Sequence, residues 1–201
     1  MAQLTVPPTL PAKGGLGPQA GRSALSPTAR STLALQVDDQ RWHSLLGRVG
    51  ASPARLGALL WRTVLAAAQA DRGAALRLAG PLNLLLTDDR TMKRLNRQFR
   101  GLNKPTNVLT FPAANGCGGD IVMGWGTVAR EARGKGVTMH QHCLHLLAHG
   151  CLHLAGLDHH HPAEAAFMEG KESRVMRALG HANPWKASSL VTSTARRGGQ
   201  P

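Results

Sequence analysis

Tyrosine is absent from the 201 residues and phenylalanine occurs only three times. So few rings argue against a nucleic-acid surface built on stacked bases, and any grip on a polyanion has to come mainly from phosphate contacts. Cysteine is as scarce. Cys117, Cys143 and Cys151 are an odd set with no C-x-x-C pair, which speaks against a disulfide framework or a cysteine-ligated zinc site and for a reducing, cytoplasmic setting. Cys143 and Cys151 read as small buried hydrophobes. No apolar run approaches the roughly 20 residues of a membrane-spanning helix, and no secretory signal core is visible, so no membrane partner is expected. Acids are the last shortage: 11 Asp and Glu stand against 24 Lys and Arg, a formal charge of +13, and none precedes Asp38. A chain this basic typically meets a polyanion such as nucleic acid.

What is there reads as one domain between two tails. Residues 1–31 are rich in Pro, Gly, Ser and Thr without periodicity, a disordered basic extension in which Pro7, Pro8, Pro11 and Pro18 break any targeting helix. The domain spans 32–185, and Lys186 onwards is a flexible basic tail. Ser31 to Val37 alternates as a first strand, followed by a short helix or loop to Gly50. Ser52-Pro53 opens a core helix to about Ala70, with Leu56, Leu59, Leu60, Val64 and Leu65 as its apolar stripe. Leu82 to Thr87 is a buried strand. Asp88 and Asp89 start a helix to about Phe99, with Met92, Leu95 and Phe99 on one side and Arg90, Lys93, Arg97 and Arg100 on the other. No acid interrupts the sequence from Arg90 to Lys104, so this face, with Lys104 in the turn that follows, is a candidate RNA-binding surface. Val108 to Phe111 and Asp120 to Met123 form a hairpin across a glycine-rich loop. Trp125 to Arg133 is a short basic helix. Pro162 begins a last helix that buries Phe167, Met168, Val175, Met176 and Leu179 and stops at Gly180.

The chemistry concentrates in a helix that Thr138 caps and that runs to about Ala155. His149 and His153 are four residues apart, about 40° on the wheel, so both imidazoles reach one ion. Gly156 ends the helix in a left-handed turn that brings His159 round as a third ligand. Three protein ligands with a fourth position open is the pattern of a catalytic zinc site, one Zn2+ per chain. The spacing resembles the H-E-x-x-H motif of zinc proteases, but Gly150 stands where their glutamate base would be. His142 and His145 fall on the same side and either line the pocket or cover its rim. Asp158 either orients an imidazole or only shapes the turn.

Two stretches, LNRQFRGLNKPTNVLTFP from Leu95 to Pro112 and HLLAHGCLHLAGLDH from His145 to His159, resemble the YbeY endoribonucleases, with GGDIV at Gly118 to Val122 in agreement. The resemblance implies an α+β fold, a small mixed β-sheet of about four strands flanked by helices, with a zincin-like metal cleft at the histidine helix. It places the zinc ligands on His149, His153 and His159 and the functional arginine on Arg100, which makes these four the expected catalytic residues. It implies a zinc-dependent endoribonuclease specific for single-stranded RNA, acting in ribosomal RNA maturation at the small-subunit 3′ end and in ribosome quality control. Ribosomal RNA and the ribosome or its proteins are the implied partners. The family usually has Tyr where Leu157 stands and Asp at Asn107, and its KDKPT reads LNKPT here. Competing readings are a non-catalytic zinc-containing ribosome- or RNA-binding factor and, with less support, a metalloprotease.

Overall fold

The structure is a computed structural model that describes residues 33–48, 53–70 and 77–185. The extension before residue 32, the Ser52 cap and the tail from Lys186 lie outside the described residues. So do the side chains of Leu56, Leu59 and Leu60. The elements run β1 (Leu33–Val37), α1 (Arg41–Arg48), α2 (Pro53–Ala70), β2 (Leu82–Thr87), α3 (Asp89–Arg100), β3 (Val108–Pro112), β4 (Gly119–Gly124), α4 (Trp125–Gly134), α5 (Met139–Leu154) and α6 (Pro162–Ala178).

The four strands form one mixed sheet in the order β1-β2-β4-β3. β1, β2 and β4 are parallel and β3 returns antiparallel on β4, with Leu84 beside Ile121 and Leu109 beside Val122. Parallel neighbours need a crossover, and the helices between β1 and β2 and between β2 and the hairpin supply it. The two-residue alternation of the strands then sorts their side chains. Leu82, Leu84, Leu86, Val108, Ile121 and Met123 join a core with Val64, Leu147, Ala148 and Cys151 from α2 and α5. Val122 and Leu109, with Leu85 and Phe111, face the other way and are covered by Met92 and Leu95 of α3. Trp42 is locked to the sheet by its indole N–H, which donates to the Thr87 carbonyl at 3.0 Å.

α5 is the central helix, packed against the sheet on one side and against α2 and α6 on others. It is buried on more than one face, so it is not the simple two-sided helix the histidine spacing implies: Leu146 and Leu152 are as inaccessible as Leu144 and Leu147. Thr138 caps it in a full capping box with Gln141. The helix can lie close because Gly150 faces the sheet. A β-carbon there meets Thr110 Cγ2 at 3.1 Å and Ile121 side-chain carbons at 3.2 Å. Two expected core residues are not buried. Leu65 is 45% exposed and Phe167 54% exposed; the inward face of α6 is instead Met168, Glu172, Val175 and Met176.

At Gly150, alanine adds a methyl within reach of yielding side chains and gains helix propensity, so Gly150→Ala is expected to stay within about 1 kcal/mol of wild type. Gly150→Glu drives a carboxylate between Thr110 and Ile121 and is expected to abolish cooperative unfolding. Thermal melts followed by circular dichroism check both.

Candidate metal centre and cationic helix

The last two turns of α5 and the loop after it bring His149, His153 and His159 together, with one ligand-capable nitrogen of each within 4.8 Å of the others. The turn is made by Gly156 at φ 88°, a left-handed conformation that a side chain resists. A β-carbon at Gly156 would also meet the Arg77 guanidinium at 2.8 Å. The Leu157 N–H donates to the Leu152 carbonyl, closing the helix end.

Each of the first two imidazoles is held from behind. His149 Nδ1 lies 2.7 Å from Glu172 Oε1, and His153 Nδ1 lies 3.0 Å from the Leu157 carbonyl oxygen. A carboxylate and a carbonyl are both acceptors, so the Nδ1 atoms carry the protons and both Nε2 atoms present lone pairs. Those two Nε2 atoms are 3.1 Å apart. Lone pairs converging at this distance repel unless a cation shares them, and two nitrogens on a tetrahedral zinc sit about 3.3 Å apart. The donor set, three imidazoles and no thiolate, fits a metal with one position left for water or substrate. Burial pushes the Cys143 and Cys151 thiols up to about 12, so neither offers a thiolate at neutral pH.

Sequence reasoning missed the acid that organises this cluster. Glu172 is 1% exposed. Burial alone raises a carboxyl pKa, yet hydrogen bonds with His145 and His149 outweigh it and hold Glu172 at about 2. The signal was thin: a lone Glu on the inward stripe of α6, spaced four and three residues from Met168 and Val175. His142 and His145 are not rim residues. They are buried behind the cluster, His145 Nε2 at 2.7 Å from Glu172 Oε2 and His142 Nε2 at 2.8 Å from Glu131 Oε2. Asn107 joins them, its Nδ2 donating to both Glu131 oxygens at 3.1 and 2.9 Å. An aspartate at that position would set two carboxylates face to face. Asp158 is a turn residue: its Oδ1 accepts the His159 backbone N–H at 2.8 Å and its Oδ2 pairs with exposed His160.

The protease base is missing for a structural reason too, since position 150 faces the sheet. Arg90, Lys93, Arg97 and Arg100 are all exposed on α3 and Lys104 is exposed in the turn. Asp88 caps the helix by accepting the Thr91 N–H at 2.7 Å, and Gly101 ends it at φ 71°. Buried Asn96 donates to the Lys104 carbonyl at 2.8 Å, which pins the turn to the helix. Asp89 does not neutralise the cationic face. Its carboxylate is taken up by the Thr127 N–H at 2.8 Å and by Arg130 at 3.0 Å.

Burial, then the neighbouring His149 and His159, hold the His153 imidazole down at about 4. Unfolded, the same group takes its proton near pH 6.5, so the unfolded chain binds more protons between those values. Metal-free protein is therefore expected to lose stability as pH falls from about 6.5 to about 4, and His153→Gln to remove that part of the slope, by denaturant titration under chelator. Zinc at about a hundred times its Kd is expected to restore about 2.7 kcal/mol.

The family profile of Endoribonuclease YbeY matches residues 55–180. Relatives of that name include a Gluconobacter oxydans protein, 55% identical over 105 residues that cover 52% of this chain and 62% of the relative. The chain thus spans less than two thirds of that protein. One from Aromatoleum aromaticum is 40% identical over 165 residues, covering 81% of this chain and 99% of the relative. The solution structure of TM1509 from Thermotoga maritima is similar at 22% identity and a TM-score of 0.45, over 84% of this chain and 100% of that one. With the profile running through the cationic helix and all three clustered histidines, and a relative matched along almost its whole length, the chain belongs to the Endoribonuclease YbeY family.

Proposed function

We propose that this chain is a zinc-dependent endoribonuclease that cleaves single-stranded RNA, and that its substrate is ribosomal RNA near the small-subunit 3′ end. The observation that carries the reading is the pair of Nε2 atoms 3.1 Å apart beside a third histidine; the exposed cationic face of α3, free of acids from Arg90 onward, supports RNA as the substrate. Family membership supplies the reaction class, because the relatives are named endoribonucleases. Ribosomal proteins as partners, a role in ribosome quality control and a cytoplasmic location belong to the same proposal. No helix among the described residues is long and apolar enough to cross a membrane. The domain is taken as 32–185, with the residues on either side as basic tails.

When bound, zinc supplies a Lewis acid for a phosphoryl oxygen and lowers the pKa of a coordinated water toward about 7. The protein's own residues do the rest. His149, His153 and His159 hold the metal, with the first two fixed in one tautomer by Glu172 and Leu157. Arg90, Lys93, Arg97 and Lys104 take successive phosphates of a single strand. Arg100, at the last position of α3, pairs with a non-bridging oxygen as charge develops there. The sequence offers no obvious protein base where the zinc proteases carry their glutamate, so the attacking group, a water or the RNA's own 2′-hydroxyl, would pass its proton to solvent. A protease is disfavoured because position 150 has no room for a glutamate aimed at the metal.

Purified wild type, His153→Ala and Arg100→Ala are to be compared on a single-stranded ribosomal RNA fragment, with bound zinc quantified. His153→Ala is expected to lose both zinc and cleavage. Arg100→Ala is expected to keep zinc and slow cleavage about 100- to 1,000-fold. Undiminished cleavage in both would place the chemistry elsewhere and favour the non-catalytic binding factor. Lys93→Ala and Arg97→Ala are each expected to flatten the salt dependence of RNA binding by about 0.7 in log–log slope.

A further inference from the structure

Glu172 stands between the metal cluster and the last described residue of the chain, Trp185. Its Oε1 faces His149 Nδ1 at 2.7 Å. Its Oε2 faces His145 Nε2 at 2.7 Å and takes the Trp185 indole N–H at 3.0 Å. The indole also stands edge-on to His145, ring centres 5.4 Å apart at 89°. We propose that Glu172 is the positioning residue that fixes His149 as a metal ligand, and that Trp185, beyond the end of α6, holds this carboxylate in register and so sets the metal affinity of the centre. The proposal rests on the reading of the three histidines as the metal site.

An indole N–H can only donate, so Oε2 has to accept there. With two donors on Oε2, the carboxylate cannot rotate without breaking both bonds, and Oε1 is left to His149 alone. That forces the His149 proton onto Nδ1 and keeps the Nε2 lone pair on the metal side. His153 has only a neutral carbonyl behind it, and His159 sits in an exposed loop, so the ligand with the firmest backing is His149. The arrangement also ties the loop after α6 to the centre: moving Trp185 away removes a donor from Oε2 and frees the carboxylate to turn. Trp185 itself is 44% exposed, so its indole is held by this bond and the His145 contact rather than by full burial.

Glu172→Gln keeps the shape but turns one oxygen into a donor, which must then face either His149 Nδ1–H or the His145 and Trp185 donors. Trp185→Phe deletes the N–H and keeps an aromatic ring. Full-length protein is stripped, reloaded and titrated with zinc against a competing chelator. Cobalt(II) absorption reads the ligand geometry, and the melting of metal-free protein reads the fold. Glu172→Gln is expected to weaken zinc binding about 10- to 100-fold. Trp185→Phe is expected to weaken it several-fold with an unchanged metal-free melting point, and the cobalt bands are expected to shift in both. Wild-type zinc affinity and cobalt spectrum in Trp185→Phe would overturn the role of Trp185 whether or not Glu172→Gln folds. The same result in folded Glu172→Gln would overturn the proposal as a whole. His149→Ala separates the two levels: if it too keeps zinc, the ligand assignment fails, whereas zinc lost there but kept in Glu172→Gln sinks only the positioning role.

Discussion

Because Gly150 presents no side chain, α5 lies against Thr110 and Ile121, and the positions of the functional groups follow from that seat. The helix carries His149 and His153 on one register, and its end, closed by the Leu157 N–H on the Leu152 carbonyl, delivers His159 beside them. α6 then packs on α5 and sets Glu172 behind His149. The sheet contributes no ligand. It supplies the flat apolar surface that holds α5 rigid, as a site with tolerances of tenths of an ångström requires.

Charge is divided by depth. Behind the cluster, half-buried Glu131 and fully buried Glu172 each gather hydrogen-bond partners: His142 and Asn107 for the first, His145, His149 and Trp185 for the second. Outside, α3 presents Arg90, Lys93, Arg97 and Arg100 to solvent while its one acid in the first turn, Asp89, is bound to α4. Carboxylates thus orient the imidazoles in and behind the histidine cluster, while the cations of α3 give the outer surface a positive field.

Much of this was legible in the residues. The three-histidine cluster followed from i,i+4 spacing and a helix-ending glycine, strand β2 from its short apolar run, the hairpin from two strands across a glycine-rich loop, and the ends of α3 from Asp88 and Gly101. What the sequence hid were contacts between distant elements. Glu172 is one acid among apolar neighbours on α6, and nothing local says that it meets His145 and His149 more than twenty positions away. His142 and His145 read as pocket-lining or rim groups because an imidazole at that spacing is indistinguishable from a ligand until its carboxylate partner is placed. Leu65 and Phe167 failed because periodicity gives a face, not the extent of its cover. The Asn107 departure became intelligible only once Glu131 was found opposite it.

The most direct test of a metal-dependent nuclease on these histidines is to titrate chelator-stripped, folded protein with zinc and follow cleavage of single-stranded RNA against metal bound. The account predicts no cleavage without metal and a rise that levels off at one zinc per chain. Full-rate cleavage by stripped protein, or a plateau at a different stoichiometry, would contradict it.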